Sequence, residues 1–227
     1  MIVTIDGPAG SGKSSTAREV ARRLGFRHLD SGAFYRALTH AALSAGIPPE
    51  RWPELSHADL DGFRIHASLA EGGYRLLAGD DDVSAQIRSP AVNAHVSQMA
   101  RLPAVRGWLL ERLRDAARGT DLVADGRDLG TVVFPDADLK VFLVADPIER
   151  ARRRLAEHGV TTPGTEELAA EVERLTLRDR IDSERELAPL AKAPDAVVLD
   201  TTSLDFDAQV ECVVALVRSR QRERARD

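Results

Sequence analysis

Near its start the chain reads Gly7-x-x-x-x-Gly12-Lys13-Ser14, with a further glycine at Gly10. Glycine accepts backbone angles closed to other residues and lets the main chain approach a ligand closely. A helix N-terminus offers unpaired N–H groups and a partial positive charge, which suits an anion. The spacing satisfies the P-loop pattern, in which main-chain N–H groups cradle phosphates, the lysine reaches the terminal ones and the hydroxyl holds Mg²⁺. The expected ligand is a nucleoside triphosphate. Its contacts are assigned to Gly7, Pro8, Ala9, Gly10, Ser11, Gly12, Lys13, Ser14 and Ser15, with Ser14 bound directly to the metal.

Three other groups carry charge at places where chemistry is expected. Leu29-Asp30-Ser31-Gly32-Ala33-Phe34-Tyr35-Arg36 leads from a strand into a helix, with Arg36 about one turn inside. Asp125-Gly126-Arg127-Asp128 brings charge abruptly to a strand end. Arg178, Asp182 and Arg185 recur at i, i+4 and i+7, one face of a helix. Any one of them could be a solvated salt-bridge face, but all three converging near strand ends would make an arginine-lined acceptor site. The bases are nearly all arginine, the only lysines being Lys13, Lys140 and Lys192, so the loop lysine stands out as a compact point charge among bidentate forks. The histidines show no metal-ligand spacing. The only asparagine, Asn93, is followed by Ala94, so the Asn-Lys-x-Asp guanine reader of switch GTPases is absent.

These groups need elements to position them. Short apolar runs at 2–5, 26–29, 122–124, 139–145 and 196–199 read as buried parallel strands. Helical patterns at 14–24, 33–45, 103–117, 147–158 and 207–224 alternate with them. Such alternation predicts an α/β fold with helices on both faces and ligands at the carboxyl ends of the strands. The segment 48–89 interrupts the rhythm and reads as an inserted antiparallel hairpin turning at Glu71-Gly72-Gly73. Residues 159–164 read as the tip of a lid. The chain has 227 residues, 43% hydrophobic and 30% charged, ordinary for a soluble globular protein. A net charge of −5 argues against duplex nucleic acid or an anionic membrane as the main partner. Cys212 is the sole cysteine, expected as a packed core thiol, so neither an internal disulfide nor a cysteine zinc site can form. With no signal segment and no transmembrane-length stretch recognised, a cytoplasmic location is expected.

The set GPAGSGKSS, LDSGAFYR, SQMARLPAVR, ADGRDLGTVVFPDADLK, RDRIDSERELAPL and VLDTTSL resembles the bacterial cytidylate kinases, and these motifs span nearly the whole chain in family order. The resemblance implies a P-loop nucleoside monophosphate kinase fold, a five-stranded parallel sheet with an NMP-binding insertion and a short lid. The core would comprise 1–35, 97–150 and 175–227, the insertion 36–96 and the lid 151–174. It further implies that Arg36, Arg127 and Arg185 hold the phosphate of CMP, that Ser97, Arg106 and Asp128 read cytosine, and that Arg178 and Asp182 address the ribose, with Ser31 lining the same pocket. Cytosine's N4 amine suits a carboxylate, whereas uracil presents an acceptor there. Lys13, Arg36, Arg127 and Arg185 would stabilise the transferring phosphoryl group, and Mg²⁺ would accompany ATP.

Arg150, Arg153 and Arg154 precede the lid tip, and Arg154 is taken as the one that reaches ATP. Asp125 either orients Mg²⁺ through water or holds a neighbouring arginine. The expected reaction is ATP with CMP, and with dCMP, giving ADP and the diphosphate, by a monomer. The alternatives are another small-molecule P-loop kinase, for UMP, AMP or a shikimate-like acceptor, and a non-catalytic module that senses ATP.

Overall fold

The computed structural model describes residues 1–70 and 73–226. Its elements run β1 (Ile2–Asp6), α1 (Lys13–Leu24), β2 (Arg27–Asp30), α2 (Ser31–Ser44), α3 (His57–Gly62), β3 (Ile65–Ala70), β4 (Gly73–Ala78), β5 (Asp81–Asp82), α4 (Pro90–Met99) and α5 (Pro103–Ala116). They continue with β6 (Leu122–Gly126), β7 (Leu139–Val144), α6 (Pro147–Glu157), α7 (Thr165–Ser183), β8 (Val197–Asp200) and α8 (Phe206–Arg224). Five strands pair in parallel in the order β2-β6-β1-β7-β8. The hairpin β3-β4, with β5 beside β4, joins the edge at β2 through a single register pair, His28 with Gly73. The turn residues Glu71 and Gly72 lie outside the described residues.

Side-chain alternation along each strand sorts the core into two layers. On β6, Leu122 and Ala124 join one apolar cluster with Leu38, Trp52, Met99 and Leu109. Val123 between them joins the other, with Val3, Ile5, Ala17, Val20, Val213 and Val217. The sheet is thus covered by α1 and α8 on one face and by α2, α4 and α5 on the other. A third, small node consists of Ala9 from the glycine loop, Ala151 from α6 and Leu175 from α7.

Four expectations need correction. The segment 48–89 is more than a hairpin, since α3, capped by Ser56, also forms there. β8 is a sheet edge, so Val197 and Val198 are exposed where a buried strand was expected. Cys212 is half-buried. Lastly, α7 ends at Ser183, so Arg185 does not share a helix face with Arg178 and Asp182. Pro189 disfavours helical angles at Ala188, which adopts a positive φ of 49°, and the chain turns back so that the Leu190 N–H reaches Asp182 O at 2.8 Å.

Candidate active site

The carboxyl ends of β1, β2 and β6 open onto one cleft of about 320 Å³. On one side stands the glycine loop. Gly12 sits at φ 83° as the N-cap of α1, a left-handed conformation that frees the following N–H groups to point outward. Gly7 is needed for closeness, because a Cβ there would stand 2.4 Å from Leu143 O. Ala9, Gly10, Gly12, Lys13, Ser14 and Ser15 line the cleft, while Gly7, Pro8 and Ser11 shape the loop behind them. The loop is also held from outside. The Ala9 N–H donates to Asp179 Oδ1 at 2.8 Å, and Arg150 Nη1, itself paired with Asp179, donates to Ala9 O at 2.9 Å.

Lys13 Nζ donates to Pro8 O at 3.0 Å, and burial together with the charge of Arg127 lowers its pKa to about 7. A phosphate would supply the missing counter-charge. Ser14 Oγ donates to Asp125 Oδ2, and His28 Nε2 lies 2.8 Å from Asp125 Oδ1. Burial opposes the Asp125 charge, but bonding and charge from His28, with Ser14 and Lys13, hold the carboxyl below its usual range. A buried, ionised carboxylate beside a hydroxyl is an oxygen donor set suited to a hard cation.

The opposite wall gathers side chains from four separate parts of the chain. Ser31 and Arg36 come from α2, Ser97 from α4, Arg127 and Asp128 from the end of β6, and Arg178, Asp182 and Arg185 from α7 and the turn after it. Asp182 ties them together, accepting from Arg127 Nε at 3.0 Å and from Arg185 Nη2, with Ser97 Oγ at 3.5 Å. Burial opposes its charge, but Arg127, Arg185 and Arg178 overcome that and lower its pKa. Arg36 is anchored by Asn93 Oδ1 and Ser31 by Asp125 O at 2.8 Å. The Nε groups of Arg178 and Arg185 are buried with no hydrogen-bond partner among the described residues. Basic side chains outnumber carboxylates along the wall, in a chain whose net charge is −5.

Deeper in the same wall, Asp128 pairs with Arg106, whose Nη1 also donates to Ala100 O at 3.1 Å. Arg106 lies behind the cleft, over the Tyr35 ring at 5.7 Å. Burial pushes the Asp128 pKa up against the pull of Arg106 and Arg185. The segment after Asp128 is one π-helical turn, Leu129–Val133. Asp6, the last residue of β1, accepts the N–H groups of Leu129 at 3.0 Å and Gly130 at 2.8 Å. Burial raises its pKa to about 6.

Every residue assigned to the site from the sequence therefore meets at this cleft or directly supports it. Of the three arginines before the lid tip, only Arg154 lines the cleft, beside Glu157; Arg150 braces the glycine loop and Arg153 bonds Thr201. The hairpin does not line the cleft among the described residues. Sequence reasoning missed Arg18, Asp30, Tyr35 and Arg88 on the wall, and His28, Asn93, Asp6 and Asp179 behind it. Asp30 and Tyr35 stood inside an already singled-out motif. Asp179 stood inside another, RDRIDSERELAPL, but its partner Ala9, like the partners of the remaining residues, is distant in sequence.

The model of the family described as "Cytidylate kinase" matches residues 3–219. The chain belongs to the cytidylate kinase family. Two curated cytidylate kinases illustrate the likeness. That of Exiguobacterium sp. is 43% identical over 95% of this chain and 95% of its own, and that of Pelodictyon phaeoclathratiforme is 45% identical over 97% and 96%. Among solved structures, a shikimate kinase from Bacteroides thetaiotaomicron overlaps 96% of this chain and 97% of its own at 14% identity, with a TM-score of 0.48. As a cytidylate kinase family member, the protein is an ATP-dependent phosphotransferase with nucleotide substrates. Among the described residues no helix is long and apolar enough to cross a membrane.

Proposed function

We propose that the protein transfers the γ-phosphoryl group of ATP to CMP and to dCMP, giving ADP and the corresponding diphosphate. The observation that carries this reading is one cleft lined by an anion-cradling loop on one side and by buried, under-partnered arginines on the other. Two phosphate-bearing ligands meeting head to head would satisfy both walls. Family membership supports CMP as the acceptor.

In this reading the glycine loop and Lys13 hold the ATP phosphates, and Arg154 covers them from the lid. Arg36, Arg127 and Arg185 clamp the CMP phosphate, since a guanidinium fork matches its oxygens bidentately. Asp128 accepts from the cytosine N4 amine, with Arg106 and Ser97 completing base recognition. Arg178 and Asp182 reach the ribose. The attacking phosphate oxygen is already largely ionised, so these residues supply positioning and charge neutralisation and no general base.

Ser14 and Asp125 fit Mg²⁺, Ser14 directly and Asp125 through water. Among the described residues no group of three or more His, Cys, Asp or Glu side chains could hold a metal alone. Bound Mg²⁺ would be shared with the phosphates and would neutralise their charge. The enzyme acts as a monomer in the cytoplasm and takes no nucleic acid. Single-turnover transfer from ATP to CMP, dCMP, UMP and AMP tests the assignment. CMP and dCMP should react fastest, and equal rates with UMP would refute it.

A further inference from the structure

We infer that His28 is a positioning residue that holds Asp125 toward Ser14 and thereby sets how strongly Mg²⁺ tightens ATP binding. The inference rests on the metal reading of Ser14 and Asp125 given above. His28 lies on β2 and Asp125 on the neighbouring β6, where the register pairs His28 with Val123 and Asp30 with Asp125. Both side chains are buried, at 8% and 2% exposure. An ionised carboxylate can only accept, so at 2.8 Å from Asp125 Oδ1 the His28 Nε2 carries the hydrogen and donates it. The Ser14 hydroxyl donates to the other oxygen. Asp125 is therefore pinned at both oxygens, by β2 on one side and by the start of α1 on the other.

The two bonds are not equivalent. Ser14 lines the cleft and would offer an oxygen lone pair to a bound Mg²⁺, so its bond to Oδ2 of Asp125 is made where the ligand sits. His28 does not line the cleft, so its bond to Oδ1 is independent of the ligand and aims the carboxylate whether or not the cleft is filled. Hydrogen-bond partners that orient a metal's ligands are worth about tenfold or more in metal affinity; His28 acts one bond further out, through Asp125 and its water, so about tenfold is the ceiling for its loss. An apolar residue in place of His28 would leave Oδ1 buried without this donor, and the carboxylate would be free to rotate.

Calorimetric titration of ATP, first in chelator and then in saturating Mg²⁺, separates this role from simple packing. Wild type should bind ATP more tightly with Mg²⁺. In His28→Leu that gain should shrink severalfold, up to about tenfold, with metal-free ATP affinity and the KM for CMP unchanged. His28→Gln, whose amide N–H can donate in the same direction, should recover most of the gain. Should His28→Leu fail to fold, His28→Met carries the same comparison. A full Mg²⁺ gain in the folded apolar variant overturns the inference, as does an equal loss in His28→Gln. A wild type that gains nothing from Mg²⁺ overturns the metal reading of Ser14 and Asp125, and this inference with it.

Discussion

The two walls of the cleft are built by opposite strategies. The wall proposed for the triphosphate is one contiguous loop, Gly7 to Ser15, whose polar groups are mostly main chain and whose shape is dictated by glycine. The acceptor side is made of side chains drawn from α2, α4, β6 and the region around the end of α7, and it exists only when the fold is complete. A local motif can therefore fix how a phosphate is gripped, but which molecule receives it depends on long-range assembly. Asp182 shows the cost of that assembly. One buried carboxylate organises Arg127 and Arg185, while the Nε groups of Arg178 and Arg185 find no partner among the described residues.

This contrast can be broken experimentally. The largest effect should come from Arg127→Ala, which on the proposed mechanism would remove transition-state charge stabilisation and lower kcat by about 10³-fold. A coupled ADP assay reads it, with thermal unfolding as the check on folding. Lys13→Ala should match it in kcat but weaken ATP rather than CMP binding. Equal losses for both ligands in both variants would erase the distinction between the walls.

The joint between the walls is Asp6, which belongs to the strand feeding the glycine loop yet holds the turn after Asp128. Its carboxyl is raised from 3.8 to about 6 in the folded protein, so the folded state binds a proton more tightly than the unfolded one. The stability it contributes is complete below about pH 4 and is lost as pH rises to about 6, by roughly 3 kcal/mol. Urea unfolding of wild type against Asp6→Asn from pH 4 to 7 should show that divergence, and parallel curves would refute it.

Asp128→Asn should then reduce the preference for CMP over UMP by about 30-fold, the worth of one buried, charge-assisted hydrogen bond of about 2 kcal/mol. An unchanged ratio removes Asp128 from base reading. The smallest change belongs to Arg154→Ala on the lid, about fivefold in the KM for ATP, because its guanidinium is already shared with Glu157.

How much could be read from the letters follows the same division. The P-loop was legible because spacing, glycine geometry and flanking elements all agree within a dozen residues. The five parallel strands were legible from their apolar runs. Arg36 and Arg127 could be singled out because one sits about a turn inside the helix that follows a strand and the other at a strand exit, where α/β sheets place ligands. Arg185 was brought to the right place by a wrong argument, since its helix stops at Ser183 and a turn completes the approach. His28 was passed over because the histidines show no metal-ligand spacing, and its carboxylate partner lies on β6, far away in sequence. Asp179, read as part of an arginine-rich helix, proves to brace Ala9 across most of the chain.

The small node of Ala9, Ala151 and Leu175 has a consequence for motion. Among the described residues, the helices flanking the lid tip meet the loop's Ala9 through two buried apolar side chains, Ala151 and Leu175, with Leu168 and Val172 partly buried beside them, and through the Arg150–Asp179 pair. That is a shallow joint beside the two deep layers of the sheet. Little apolar surface is committed there, so polar bonds carry most of the contact, and because Asp179 and Arg150 both end on Ala9, any displacement of α6 or α7 would be felt directly by the backbone of the glycine loop.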